Sequence, residues 1–331
     1  MKEIYKLEDK LTELKIFAEK GLEDLKSTGL ASVDKLFMLK KGYPLFIAGN
    51  PGHGKTEFVF EILINTSMMY GWKHFIYCGE GGNIEHIFYE LVNKYLEKSY
   101  HYVSEQEKIK AEYFISTHFI IANHDNDYTI AAFYDLANKV QNDLGITFDT
   151  TTFDPFNDIE DESQRFGGRD DKYLAYALKR CRIDAKKQNR INILINHVSD
   201  IPPKTDKDSG MDYLPAALPT QWAGGRTWWR RAFTMIVIYR PYTFRKDANG
   251  KPFEENETHV IVQKTKPKGI GRNGTASIFW DYKRNRYYSF DEYNQVLYST
   301  EKNIYKHQAA IKPAEDFTIS NKIETDDNLP F

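Results

Sequence analysis

Residues 49–56 (GNPGHGKT) set two glycines, a lysine and a threonine at the spacing G-x-x-x-x-G-K-[ST]. That spacing suits the polyphosphate of a nucleoside triphosphate. The glycines let the backbone fold so that its N–H groups converge on an anion. A helix starting directly behind the loop adds the positive end of its dipole. Lys55 can then reach the β and γ phosphates, and the Thr56 hydroxyl can hold Mg²⁺. Asn50, Pro51, Gly52, His53, Gly54 and Glu57 complete the candidate cradle, with His53 at a variable position that reads as a spacer.

Hydrolysis asks for three more groups: a carboxylate in the metal shell, a group that polarises water, and a cation near the γ-phosphate. Sheets that alternate with helices place ligands at strand ends, and three suitable residues fall there. Asp154 closes a strand pattern over 146–154 and can hold a Mg²⁺-bound water; starting a turn before Pro155 is its other reading. Asp149 competes for the metal but sits earlier in that strand. Glu80 follows the pattern 72–78 and stands among Gly79, Gly81 and Gly82, which leave its carboxylate free to approach a γ-phosphate. His197 follows the pattern 191–195 and can pass the presence of a γ-phosphate to the next loop.

These residues need a scaffold. Residues 44–48 read as a buried strand before the phosphate loop and 57–64 as a helix after it. Further strands are expected at 119–122 and 233–239, and helices at 83–98, 128–144 and 173–188. Two polar segments, 156–171 and 199–219, read as loops; the second carries four prolines. Residues 258–263, 275–280 and 286–290 read as antiparallel strands. The expected fold class is α/β: a mostly parallel sheet closed by a C-terminal antiparallel extension. Ahead of it, Ile4, Leu7, Leu11, Leu14, Ala18 and Leu25 form the seam of an amphipathic helix over 3–26, interrupted by Gly21. That helix packs either on its own domain or on a neighbouring subunit. Beyond about residue 302 the chain is polar and reads as a flexible tail.

The 331 residues carry a net charge of −2 and are 41% hydrophobic, which suits a large globular core and excludes a uniformly basic nucleic-acid coat. No apolar run approaches the ~20 residues that cross a bilayer, and the charged N-terminus has no signal-peptide pattern, so a cytoplasmic location is expected. Cys78 and Cys181 read as reduced core residues. Positive charge is local. Lys264, Lys266, Lys268 and Arg272, then Lys283, Arg284 and Arg286, form a basic C-terminal third, and Arg226, Arg230 and Arg231 form a second cluster. On charge alone either is a solvated face.

Together these residues resemble the RecA-like P-loop motor domain of DnaB-type replicative helicases, including phage and mitochondrial relatives. Residues 28–34 (TGLASVD) resemble the family's lead-in to the core, and Ala48 and Pro51 extend the likeness around the phosphate loop. The resemblance implies that Glu80 is the catalytic glutamate, Asp154 the Walker B aspartate, and His197 the residue that couples γ-phosphate to a DNA-binding loop. Residues 221–240 resemble a further family segment, with Gly225 in place of a serine and Phe233 and Thr234 near the usual Ala-Asp. Residues 262–266 resemble the K-x-R element whose arginine reaches a neighbour's ATP site. Lys266 stands there, keeping the charge and losing the planar fork; Lys264 and Arg272 are the other candidates.

The resemblance further implies an ATP- and Mg²⁺-dependent DNA helicase, a ring-forming hexamer of phage type acting in the host cytoplasm. Residues 1–27 would be a linker helix, 28–300 the motor and 301–331 a flexible acidic tail, without the helical domain that precedes the motor in bacterial relatives. Loops 156–171 and 199–219 would line a channel around single-stranded DNA. Residues 324–331 (ETDDNLPF) resemble the acidic tip of bacterial single-stranded-DNA-binding proteins, which implies docking of Leu329, Pro330 and Phe331 on replication proteins, primase among them. Two other readings stay open: a recombination ATPase that forms filaments, and a non-unwinding ATP-binding replication adaptor.

Overall fold

The computed structural model describes residues 4–290 and 295–298. A 3₁₀ turn at Leu7–Lys10 leads into α1 (Leu11–Lys20), followed by α2 (Ala31–Asp34), β1 (Leu45–Gly49), α3 (Lys55–Tyr70) and β2 (His74–Cys78). Then come α4 (Ile84–Leu96), α5 (Glu105–His118), β3 (Phe119–Ile121), α6 (Ile130–Leu144), β4 (Thr150–Asp154), α7 (Asp170–Gln188) and β5 (Ile191–His197). The chain continues through β6 (Lys204–Thr205), β7 (Asp212–Tyr213), α8 (Arg226–Arg231) and β8 (Thr234–Tyr239). It closes with β9 (Glu257–Lys264), β10 (Gly274–Asp281), β11 (Arg286–Phe290) and β12 (Val296–Tyr298). The tail 301–331, including its Leu329-Pro330-Phe331 tip, lies outside the described residues.

Among the described residues one ten-stranded sheet runs β12-β11-β10-β9-β8-β1-β5-β4-β2-β3. β3, β2, β4, β5, β1 and β8 are parallel, and β9 to β11 add antiparallel, as the pattern of the sequence predicts; β12, which that pattern does not signal, extends them antiparallel. Register fixes which residues share an edge. Gly49 lies beside His197, and Cys78 beside Asp154. Apolar side chains of one sheet face join α3 and α4, and those of the other join α6, α7 and α8.

Two helices escape the periodicity reading. Helix α5 has a weak apolar stripe, with only Ala111 and Ile115 buried, yet Ser104 and Glu107 close a reciprocal capping box at its start. Helix α8 has six residues, too short for a period to register. The N-terminal helix is shorter than its apolar seam suggests: it stops at Gly21, whose φ of 69° an L side chain resists. Leu11, Leu14, Ile16 and Phe17 stay exposed on it.

Helix α3 is buried from Phe58 to Ser67, including the carboxylate of Glu61. Burying a lone carboxylate is costly unless a cation joins it. Arg286 from β11, also fully buried, donates to Glu61 at 2.9 Å, to Asn65 at 2.6 Å and to the Lys94 carbonyl at 3.1 Å. Lys94 of α4, fully buried beneath Trp280, reaches Glu57 at 2.7 Å. Arg286 is therefore an internal tie and no part of a basic surface. Asn65 also donates to the Thr28 carbonyl at 3.0 Å. Gly29 lies so close that an added Cβ would sit 2.5 Å from the Asn65 amide. Arg286→Ala should lower unfolding stability by about 3–5 kcal/mol, because it strands a buried carboxylate. Arg284→Ala, on the exposed end of the same strand lead-in, should cost under about 1 kcal/mol. Urea denaturation of both variants checks the contrast.

Candidate nucleotide-binding and hydrolytic site

The phosphate loop joins β1 to α3 through Gly54, whose φ of 85° starts the helix from a left-handed turn. Gly49 is required by space: a Cβ there would lie 2.3 Å from the Ile238 carbonyl of β8. Lys55 is buried and folds back toward the Asn50 carbonyl at 3.4 Å. Burial holds its ammonium below the ordinary lysine range, while Asp154 and Glu80 act against that. The buried Asn50 side-chain amide has no hydrogen-bond acceptor within the described structure, leaving a donor ready for an anion. These features fit a polyphosphate.

Thr56 donates to Asp154 at 2.5 Å, so the two metal-ligand candidates meet at the strand ends. Asp154 is buried, and burial raises its carboxyl to about 6 despite the Thr56 hydrogen bond and the nearby Lys55 charge. A carboxylate held out of water with a hydroxyl beside it fits a divalent cation. Asp149 is elsewhere: it pairs with Lys41 and accepts from the Lys73 backbone. Glu80 is mostly exposed, and its carboxylate meets His197 Nε2 at 3.1 Å. The Gly79 N–H donates to the Asp154 carbonyl at 2.8 Å, locking the turn that carries Glu80 to β4.

His53 does more than space the loop. Its Nδ1 accepts the Arg240 backbone N–H at 3.0 Å, and burial, then Arg240 and Lys55, hold the ring down to about 4. It therefore stays neutral and ties the loop to the end of β8. Three residues outside the sequence-level set adjoin the site. The Arg240 guanidinium and the Tyr287 hydroxyl crowd Gly54, where a Cβ would lie 3.4 Å and 2.9 Å from them. The Asp158 carboxylate crowds Gly79, and burial and then Glu80 raise its pKa. Strand-end position signals Arg240; Asp158 sits in a 3₁₀ turn four residues past β4, and nothing local signals it or Tyr287. Cys78 and Cys181 are buried free thiols, Cys181 pushed up to about 12 by burial.

Lys266 is not brought to this site. Lys264 pairs with Met235 near the start of β8, whereas His259 pairs with Tyr239 beside the phosphate loop. Lys264 and Lys266 thus lie at the opposite sheet edge, about 13 Å or more along the strands. Lys264 folds onto α8, where its ammonium reaches the Trp229 carbonyl, and Lys266 is exposed. The segments 156–171 and 199–219 contain short 3₁₀ turns and the two-stranded β6–β7 pair.

Asp154 gives a signed pH dependence. Its carboxyl titrates near 3.8 when unfolded and near 6 when folded, so the native state holds the proton more tightly. Ionised Asp154 therefore destabilises the fold above about pH 6, by on the order of 2–3 kcal/mol, and has no such effect below the unfolded value. Asp154→Asn should stabilise the nucleotide-free, metal-free protein at pH 8, with the gain vanishing toward pH 4. Paired urea titrations across that range check it.

No protein-family model matches the sequence, and no curated protein matches it. Solved structures do match by fold. The chain is similar to a structure described as an ATPase domain at 14% identity and a TM-score of 0.67, over 87% of this chain and 100% of that one. It is also similar to a DnaB-like replicative helicase, described with its interactions with primase. There the identity is 15% and the TM-score 0.65, over 86% of this chain and 69% of that one. At such identities the likeness is one of architecture: the chain shares the α/β fold of that ATPase domain and of that DnaB-like helicase.

Proposed function

We propose that this chain is an ATP-dependent replicative DNA helicase that assembles as a hexameric ring and translocates on single-stranded DNA. The observation that supports it most is the division of the hydrolytic set. Lys55, Thr56, Glu80, Asp154 and His197 gather at one sheet edge, while Lys266 lies at the other. A cation so placed serves a nucleotide only in another copy, where it would act as the trans-acting finger. The fold likeness to DnaB-type motors points the same way.

The residues present would hold ATP and Mg²⁺ as follows. The backbone of Asn50 to Gly54 and Lys55 grip the phosphates, Thr56 and Asp154 hold the metal, and Glu57 anchors the head of α3 through Lys94. Bound Mg²⁺–ATP supplies the anhydride whose cleavage powers movement. Glu80 takes the proton of the attacking water. His197, in contact with Glu80, registers the change of charge and leads straight into loop 199–219. Residues 1–27 act as the linker segment, with Leu11, Leu14 and Phe17 of α1 exposed for a neighbouring subunit. Residues 28–300 form the motor, and the tail 301–331 recruits replication proteins such as primase.

Strand displacement on forked DNA tests this directly. Wild type should separate the strands, and Lys55→Ala should not. Single-stranded DNA should stimulate wild-type ATP turnover, and Glu80→Gln should cut turnover by about 10²-fold or more. Unstimulated turnover that survives Glu80→Gln would overturn the proposal.

A further inference from the structure

We propose that α8 of one copy docks into the cavity beside the α7 N-terminus of a second copy, with Trp229 filling it and Arg230 and Arg231 facing its acidic rim. The two tryptophans of α8 divide. Trp228 is fully buried, with its ring centroid 5.2 Å from those of Phe46 and Phe156. Trp229 is 40% exposed, with the Lys264 ammonium 5.1 Å above its ring. Arg226, Arg230 and Arg231 are exposed around it, and residues 213–246 contain no carboxylate at all. An exposed indole flanked by arginines is the side-chain set that dominates binding energy at protein interfaces.

The cavity measures about 550 Å³, with Phe156, Ile159 and Leu174 as apolar walls and Asp161, Asp170 and Asp171 at its rim. Asn196 lines it too. That side chain is fully buried: its Nδ2 donates to the Ala223 carbonyl at 2.9 Å and its Oδ1 has no donor within the described structure. Residues 156–171 hold six carboxylates against Arg165 and Arg169, and both arginines pair within the segment, with Glu162 and Asp171. Such a surface repels phosphate, which runs against the expectation that loop 156–171 tracks a DNA strand, and suits a cationic partner. Among the described residues no His, Cys, Asp or Glu group converges on a metal, so the charge suits a spread-out cation, which a pair of guanidinium groups supplies. Apolar walls, acid rim and an unmet acceptor complement an indole between arginines. Trp229, Arg230 and Arg231 line no part of the cavity, although Ala223 and Gly224 just ahead of α8 do, so each copy has a knob to offer and a cavity to receive one. This contact rests on the self-assembly proposed above and names residues that form it.

Charge reversal tests it. Arg230→Glu/Arg231→Glu and Asp170→Lys/Asp171→Lys should each weaken assembly of the full chain by at least about 30-fold, read by mass photometry, with circular dichroism unchanged. Mixing the two should restore assembly, because every interface then pairs opposite charges. Trp229→Ala should weaken assembly without rescue by either partner. Assembly of the charge variants like wild type, or a mixture that stays dissociated, overturns the contact. So does a pair of variants that assemble normally and lose only oligonucleotide binding. A wild type that never assembles overturns the ring as well.

Discussion

The helix behind the phosphate loop is buried through its central turns, and a carboxylate is buried with it. Most else follows from that constraint. A phosphate cradle has to be rigid, and packing α3 between the sheet and α4 makes it so. Glu61 inside that packing needs a cation, and the C-terminal strand β11 supplies Arg286. Asn65, one turn on, holds both Arg286 and the Thr28 carbonyl. The antiparallel extension and the lead-in to the core are thereby fastened to the element that presents Lys55 and Thr56. Buried ion pairs seldom add net stability; here the pair fixes register between parts of the chain far apart in sequence.

At the loop itself the chemistry is one of unfinished contacts. Asp154 is kept in a pocket that disfavours its charge, Lys55 in one that disfavours its own, and the Asn50 amide lacks an acceptor. A metal-bound polyphosphate would relieve each of them, a site that favours binding at the expense of stability. Glu80 and His197 stand at the mouth, in contact with each other and with solvent. Under the proposed function, the cations at the opposite sheet edge would finish such a site in another copy of the chain.

Much of this is legible in the sequence, for physical reasons. The phosphate loop is a local motif, and Glu80 and His197 follow or end the apolar runs of β2 and β5, while Asp154 ends the Thr- and Phe-rich strand β4. The parallel core and the antiparallel extension follow from pattern and turns. What stays hidden depends on partners far away in sequence. Arg286 sits beside Lys283 and Arg284 and reads as surface charge, because its partner Glu61 lies 225 residues away. Tyr287 reaches Gly54 by the same long return of the chain. His53 reads as a spacer because its anchor is a backbone N–H on another strand. Helix α5 escapes a periodicity search because its signal is a cap and its apolar stripe is thin.

The claim on which the account turns is that one chain holds half a hydrolytic site. ATP turnover per chain, measured across a dilution series alongside mass photometry, tests it. The account predicts that turnover per chain collapses over the same concentrations at which assemblies fall apart into single chains. Turnover per chain that stays constant down to fully separated chains would contradict it, because each chain would then be complete alone.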